Sequence, residues 1–186
     1  MKQDVKNFVS TCLVCQKVKS YTGKKLGLLH PLPIPGRPWE HISMDFITGF
    51  PLTAHKYDMI WTVVDHFSKQ AYFVPCNKTS TAFQAAHLFL KHVFSHHGLP
   101  KVIVSDRDSK FCSAFWTTLF DNLGTTLDFI SAFHPESNGQ SEVTNCTIID
   151  LLKAYVHSQP KKWDQFLHLL QFAYNNITHS STGKVI

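Results

Sequence analysis

Three of the thirteen acidic residues stand where an acid is costly or structurally pointed. Asp45 lies inside the apolar run Ile42-Ser-Met-Asp-Phe-Ile47. Asp106 directly follows Lys101-Val-Ile-Val-Ser105, at the carboxyl end of a short strand, where ligands gather in α/β sheets. Glu142 follows the turn-forming Pro135-Glu-Ser-Asn-Gly139 and stands at the start of a helix. Sixty residues separate the first two, and thirty-five separate Asp106 from Glu142. Burying such carboxylates without a partner is unfavourable, and a hard divalent cation is the natural partner for carboxylate oxygen. Two such ions about 3.5–4 Å apart stabilise both the attacking and the leaving oxygen of an in-line displacement at phosphorus. Each acid also has a structural explanation. Asp106 and Asp108 suit the turn in Ser-Asp-Arg-Asp-Ser, and Glu142 suits the first turn of a helix, where the dipole favours an anion. Asp65, beside Val63-Val64, competes as a strand-end acid, and periodicity does not exclude it.

The elements that must hold these residues are legible in the hydrophobic pattern. Ile42–Thr48, Met59–Val64 and Ala71–Val74 are short, rich in β-branched and aromatic residues, and close in sequence, which predicts an antiparallel meander. From Thr79 to His97 the period becomes helical. Phe83, Ala86, Leu90 and Phe94 fall on one face, Ser80 offers a cap, and Gly98 marks the stop. Lys101–Ser105 is a short buried strand, Ala114–Leu123 a helix ended by Gly124, and Thr126–Ile130 a fifth strand. Gly139–His157 and Trp163–Asn175 are amphipathic helices. The order βββαβαβαα predicts a mixed sheet flanked by helices, an α/β (or α+β) class.

Composition restricts what surrounds this body. The 186 residues are 44% hydrophobic, 13% aromatic and only 17% charged, too apolar for a disordered chain and sufficient for one full core. No uncharged apolar run reaches the roughly 18 residues of a membrane span, and the N-terminus has no secretory h-region. Five cysteines, an odd number, point to reduced thiols in an intracellular protein. Residues 1–30 carry six lysines against Asp4, so they hold the whole net charge of +5, and the remainder is balanced. A basic arm on a neutral body fits a polyanionic partner or a merely solvated tail. Four prolines between 31 and 38 predict an extended linker. Cys12-Leu-Val-Cys15 has the spacing of half a zinc site. His92 and His96 have ligand-like spacing but read as surface or half-buried helix residues. Cys76, Cys112 and Cys146 read as small apolar residues.

Several motifs in order resemble the catalytic core of a retroviral-type integrase, specifically that of Ty3/gypsy long-terminal-repeat retrotransposons. They are Trp39-Glu-His-Ile-Ser-Met-Asp-Phe46, Val63-Val-Asp-His-Phe-Ser-Lys69, His97-Gly-Leu-Pro100 and Ile103-Val-Ser-Asp-Arg-Asp-Ser-Lys-Phe111. Ala132-Phe-His-Pro-Glu-Ser-Asn-Gly-Gln-Ser-Glu142 and Ala173-Tyr-Asn-Asn176, leading to His179-Ser-Ser-Thr-Gly183, complete the set. The family signature, Asp, Asp, thirty-five residues, Glu, is matched by Asp45, Asp106 and Glu142. Where the family commonly reads Asn-Arg-Thr after the glutamate, this chain reads Asn145-Cys-Thr147.

The resemblance implies a ribonuclease H-like fold: a five-stranded mixed sheet flanked by helices and preceded by a small basic N-terminal arm. It implies three segments. Residues 1–30 would be the cysteine half of a zinc-binding domain, 31–38 a linker, and 39–186 a C-terminally truncated core. Asp45 and Asp106 would pair as ligands for Mg2+ or Mn2+, Glu142 would complete the site, and Asp65 would fall outside it. Crowding of the three carboxylates is expected to raise at least one pKa. Gly139 and Gln140 would lie in a loop beside the site. Cys12 and Cys15 would hold zinc only if upstream histidines were supplied. The implied activity is metal-dependent processing of element DNA 3′ ends and their joining to target DNA, in the nucleus, by a homo-oligomer with no membrane association. Lys101, Lys110, Gln140, Lys161 and Lys162 would contact nucleic acid. The rival reading is a non-catalytic nucleic-acid-binding remnant. A simple nuclease sharing the metal site is a third.

Overall fold

In the strand Met59–Asp65 every residue is buried, and its neighbour His41–Ile47 buries Ile42, Ser43 and Met44 in succession, hence both of its faces, which places both strands near the middle of a sheet covered on its two sides. The computed structural model describes residues 2–11, 35–129, 139–156 and 159–178, without the side chains of 2, 5, 9, 139–143 and 153–155. Cys12 and Cys15, the linker up to residue 34, the loop 130–138 and the motif at 179–183 lie outside the described residues. Two compact units are present, Met1–Pro31 and Leu32–Ile186. In the first, α1 (Lys2–Thr11) carries Asp4 in its first turn, and Ser10 and Thr11 both donate to the Asn7 carbonyl.

The second unit is built on strands β1 (His41–Ile47), β2 (Met59–Asp65), β3 (Ala71–Cys76), β4 (Val102–Ser105) and β5 (Thr126–Phe129), in the spatial order β3-β2-β1-β4-β5. The β1–β2 and β2–β3 pairs are antiparallel, as the closely spaced strands predict. The β1–β4 and β4–β5 pairs are parallel, each reached through a helical crossover. Helix α2 (Ala82–Phe89) runs on through a π-helical turn (Leu90–Phe94) to Ser95–His97, and α3 is Ala114–Asn122. Their buried residues share a core with Ile42, Met44, Trp61, Val63 and Ile103 on one face of the sheet. On the other face, α4 (Gly139–Val156) and α5 (Leu167–Asn175) join Ile47, Ile60, Val64 and Phe73 through Ile148, Leu152, Leu170 and Tyr174. The result is a three-layer α/β/α arrangement around a five-stranded mixed sheet.

Three details differ from the sequence reading. Thr81, not Ser80, caps α2, because its hydroxyl accepts from Gln84 N while the Gln84 side chain accepts from Thr81 N, a reciprocal capping box. The buried stripe of this helix is Ala85, Ala86, Phe89 and Val93, whereas Phe83, Leu90 and Phe94 are exposed. Two apolar stripes compete on the helix, and packing against the sheet selects the one whose small alanines allow close approach. Finally, Trp163 belongs to a 3-10 helix, Pro160–Phe166, that precedes α5. Its indole N–H donates to the Pro51 carbonyl at 2.8 Å, and its ring packs on Phe50, so burial of one tryptophan sets the path of this segment. Gly98 and Gly124 end their helices with φ of 77° and 74°, a region open to glycine without strain.

The free edge of the sheet at β3 is closed by side-chain amides. Gln171 Oε1 accepts from Phe73 N at 3.0 Å. One turn later, Asn175 both accepts from Ala71 N and donates to Ala71 O, each at 2.9 Å. Edge groups that would otherwise invite another strand are thereby satisfied. Pro75, which cannot donate to a ladder, is tolerated because β3 is an edge strand.

Candidate active site

The parallel register of β1 and β4 ends with Met44 opposite Ser105. Asp45 and Asp106 are the next residues along the two chains, so two acids sixty residues apart in sequence directly follow one parallel pair, Asp45 within β1 and Asp106 just past the end of β4. Asp45 occupies the sheet face on which α4 packs, opposite the face that takes Ile42 and Met44. It is half-buried, and its Oδ1 accepts from the Phe46 backbone N–H at 2.8 Å.

Helix α4 is fastened to this position. Asn145 Nδ2 donates to Asp45 Oδ2 at 2.7 Å, and Thr62, the cross-strand partner of Asp45, donates its hydroxyl to Asn145 Oδ1 at 3.1 Å. Glu142 lies three residues before Asn145 on the same helix, hence on nearly the same face one turn earlier. Gly139 and Gln140, expected in a loop, are instead the first two residues of that helix, and the side chains of Gln140 and Glu142 are not among those described. A second tie secures the helix: the hydroxyls of Thr144 and Tyr174 meet at 2.9 Å in a buried setting.

Asp106 is half-buried, and its Oδ1 accepts from Asp108 N at 3.2 Å. Burial pushes its carboxyl pKa up. The Asp108 N–H opposes that shift, the Asp108 charge adds to it, and the Lys110 ammonium opposes it. The shift has the direction expected of three crowded acids but a different cause: burial leads, and among the described side chains the repelling charge is Asp108, not Asp45. A carboxylate held where water solvates it poorly gains most from a nearby cation. The donor set, hard carboxylate oxygens within β1 and just past the end of the adjacent β4, with the Glu142 helix tied to Asp45, therefore fits a divalent ion of the magnesium type. Among the described side chains, of which Glu142 is not one, no three of His, Cys, Asp or Glu gather as a metal group.

Asp65 does different work. It is fully buried and pairs with Ile42 at one end of the β1–β2 ladder, whereas Asp45 pairs with Thr62 in its interior. Its carboxylate accepts from Trp39 N, Phe67 N, Ser68 N and Ser68 Oγ, at 2.9, 3.3, 2.8 and 2.6 Å. It closes the β2–β3 turn and anchors Trp39. His92 is half-buried and His96 exposed, as expected, while His97 stacks on Trp39 with ring centroids 3.8 Å apart.

Residues 35–135, more than half of the chain, match the integrase core domain. The chain belongs to the integrase core domain family. The matched stretch contains Asp45 and Asp106 and stops short of Glu142. The Tf2-3 and Tf2-4 transposon polyproteins of Schizosaccharomyces pombe are 38% identical to this integrase core over 182 residues, or 98% of the chain. The chain spans only 14% of the length of those polyproteins. Among solved structures, the magnesium-bound catalytic core of HTLV-2 integrase, in a trimeric form, superposes with a TM-score of 0.62 at 21% identity, covering 80% of this chain and 93% of that one. A simian T-cell lymphotropic virus intasome in complex with a PP2A regulatory subunit gives 0.68 at 22% identity, covering 97% and 64%. These likenesses establish the ribonuclease H-like fold.

The other nominated residues are placed as follows. Lys101 is exposed and ion-paired with Glu40. Lys161 and Lys162 are exposed on the 3-10 helix. Lys110 is largely enclosed. Asn145 and Thr62 went unnoticed in the sequence as parts of the site. The helical spacing from Glu142 was the available signal for Asn145, and nothing in the sequence marked Thr62. No described helix is long and apolar enough to cross a membrane.

Proposed function

We propose that this chain is the core of a retrotransposon integrase of the Ty3/gypsy kind, a metal-dependent polynucleotidyl transferase that processes element DNA 3′ ends and joins them to target DNA. The reading is supported by Asp45 and Asp106 both directly following the last parallel pair of β1 and β4, Met44 and Ser105, and by the bond from Asn145 on the Glu142 helix to Asp45. Asp45, Asp106 and Glu142 would hold Mg2+ or Mn2+. A bound divalent pair would supply charge neutralisation at the phosphate and a more acidic attacking hydroxyl. The protein's own contribution is positional. Asn145 and the Phe46 N–H fix both oxygens of Asp45, and Thr62 fixes the orientation of the Asn145 amide. Each chemical step exchanges one phosphodiester oxygen for another, so no nucleotide cofactor and no covalent protein intermediate is required.

Residues 1–30 would be the cysteine half of a zinc-binding domain, with Cys12 and Cys15 needing two further ligands, and 31–38 a linker to the core of 39–186. The basic arm, with Lys101, Lys161, Lys162 and Gln140, would meet DNA in the nucleus. A homo-oligomer is supported by the exposed apolar side chains of Phe83, Leu90 and Phe94 and by the trimeric and dimeric forms of the HTLV-2 core. The balanced charge of residues 31–186 favours one rival, a non-catalytic nucleic-acid-binding remnant whose affinity resides in the arm.

The 186-residue chain, supplied with manganese and labelled oligonucleotides, tests these readings. Nicking together with strand transfer supports the integrase. Nicking without transfer leaves a simple nuclease. DNA binding with neither activity leaves the remnant.

A further inference from the structure

Lys110 stands in the sequence as one more candidate phosphate contact, but its side chain is only 12% exposed. Its Nζ lies 4.9 Å from the centroid of the Phe46 ring and 3.5 Å from Asp108 Oδ1. Both neighbours lead to the acidic pair. Phe46 stacks on Phe111 with centroids 4.8 Å apart and planes within 7°, and its backbone N–H donates to Asp45 Oδ1. Asp108 accepts from Lys110 N at 2.8 Å through its side chain and from Cys112 N through its carbonyl, and its own N–H reaches Asp106 Oδ1. One ammonium thus touches the β1 segment through a ring face and the β4–α3 loop through a carboxylate.

We infer that Lys110 is a positioning residue of the acidic site, its enclosed ammonium clamping the loop that carries Asp106 against the segment that carries Asp45, and that it is not a contact for DNA phosphate. The inference rests on the proposed metal-site reading. A lysine on a flexible stem reaches phosphate from a solvated position, as Lys161 and Lys162 are placed to do. Drawing Lys110 out would forfeit the ring contact and leave Asp108 facing Asp106 without a counter-charge.

The test uses the whole chain, with Lys110→Met, which keeps the stem and removes the charge, and Lys110→Arg, which keeps a cation able to stack on Phe46. Melting is followed across a manganese titration, and DNA affinity is followed against salt in EDTA. The expected result is that Lys110→Met needs about tenfold more manganese for half its stabilisation, the lower end for groups that support metal ligands. Lys110→Arg should restore the response, and the salt slope should stay that of the parent. Should Lys110→Met fail to fold, Phe46→Leu removes the ring with every charge in place and should shift the manganese response in the same direction. A slope shallower by about 0.9 with an unchanged manganese response identifies a phosphate contact and overturns the inference. A lower melting temperature in EDTA with an unchanged response identifies ordinary packing and also overturns it. If the parent itself ignores manganese, the metal-site reading fails and this inference falls with it. A responsive parent and an equally responsive Lys110→Met defeat the inference alone.

Discussion

Asn145 reaches across from helix α4 to Asp45 on β1, its amide nitrogen 2.7 Å from Oδ2, while its oxygen accepts from Thr62. The two bonds fix the amide's orientation, because only the nitrogen donates and only the oxygen accepts. They also tie the turn bearing Glu142 to the strand bearing Asp45. Asn145→Ala should therefore lower stability by about 1–2 kcal/mol, as loss of a charge-assisted hydrogen bond does. It should lower nicking and the manganese response by about tenfold or more. Asn145→Asp, which sets a carboxylate against Asp45, should be the more damaging in EDTA and should be partly rescued by manganese. Thermal melting with and without the metal reads both effects, and equal melting curves for the two variants would refute the assigned orientation.

The two aspartates of the β1–β2 ladder, Asp65 at its end and Asp45 in its interior, should answer oppositely to the same change. Asp45→Asn removes a charge that the site needs for a cation but the fold does not, so the core should stay folded while nicking and strand transfer disappear. Glu142→Gln should behave likewise. Asp65→Asn loses an acceptor that holds four donors in a buried turn, and about 3 kcal/mol or more of stability should go with it. Its manganese response should persist. Denaturant unfolding beside an oligonucleotide nicking assay separates the cases, and an Asp45→Asn protein that still nicks would place the chemistry elsewhere.

The contrast explains what was legible in the sequence. The succession of strands and helices along the chain and the antiparallel meander follow from changes of hydrophobic period between neighbouring segments, a local property, whereas the pairing of Asp45 with Asp106 rested on the family resemblance. The buried stripe of α2 was not legible, since Phe83, Leu90 and Phe94 repeat as regularly as Ala85, Phe89 and Val93, and only contact with the sheet chooses between them. Nor could the sequence tell that Lys110 lies under cover while Lys161 and Lys162 do not, because three lysines look alike until the loop around Phe46 is folded. Asn175 shows the same limit. Its motif could be quoted, but that its side chain closes the β3 edge at Ala71 is a relation across 104 residues.

His66, beside Asp65, offers a prediction about acid. Burial drives its imidazole pKa down to about 4, helped by the Lys69 charge and opposed by Asp65, and its Nε2 has no hydrogen-bond partner among the described residues. In the unfolded chain the ring takes a proton near pH 6.5, while the folded chain refuses it until about 4. The unfolded state therefore binds more protons throughout that window. Stability should be full above about pH 6.5 and fall as the pH drops towards 4, by at most on the order of 3 kcal/mol from this group. His66→Phe removes the titration and the unpartnered nitrogen, so its stability should fall less over the same window. Melting at half-unit steps from pH 7 to 4.5 would show the difference, and parallel curves for parent and variant would refute it.

Asp106 carries the opposite sign, and in the absence of metal it works against the fold. Its carboxyl pKa is raised above the usual 3.8, chiefly by burial, so the folded protein holds the proton more tightly than the unfolded one. Above the raised value both states are ionised, and the folded state bears the cost of a poorly solvated charge. As the pH falls through the raised value towards 3.8 the folded state takes up its proton first and that cost is relieved. Asp106→Asn should consequently raise the melting temperature of the metal-free chain at pH 7 by about 1–3 °C, given about 2–4 °C per kcal/mol for a domain of this size. The advantage should shrink as the pH is lowered through the same range. Manganese should reverse the order, because a cation bound to the folded state stabilises the parent by mass action and finds one ligand fewer in the variant. A crossing of the two melting series as manganese is added is the expected signature. If Asp106→Asn is the less stable protein in EDTA at pH 7, the Asp106 charge is a net support of the fold, and its place in a cation site loses its physical basis.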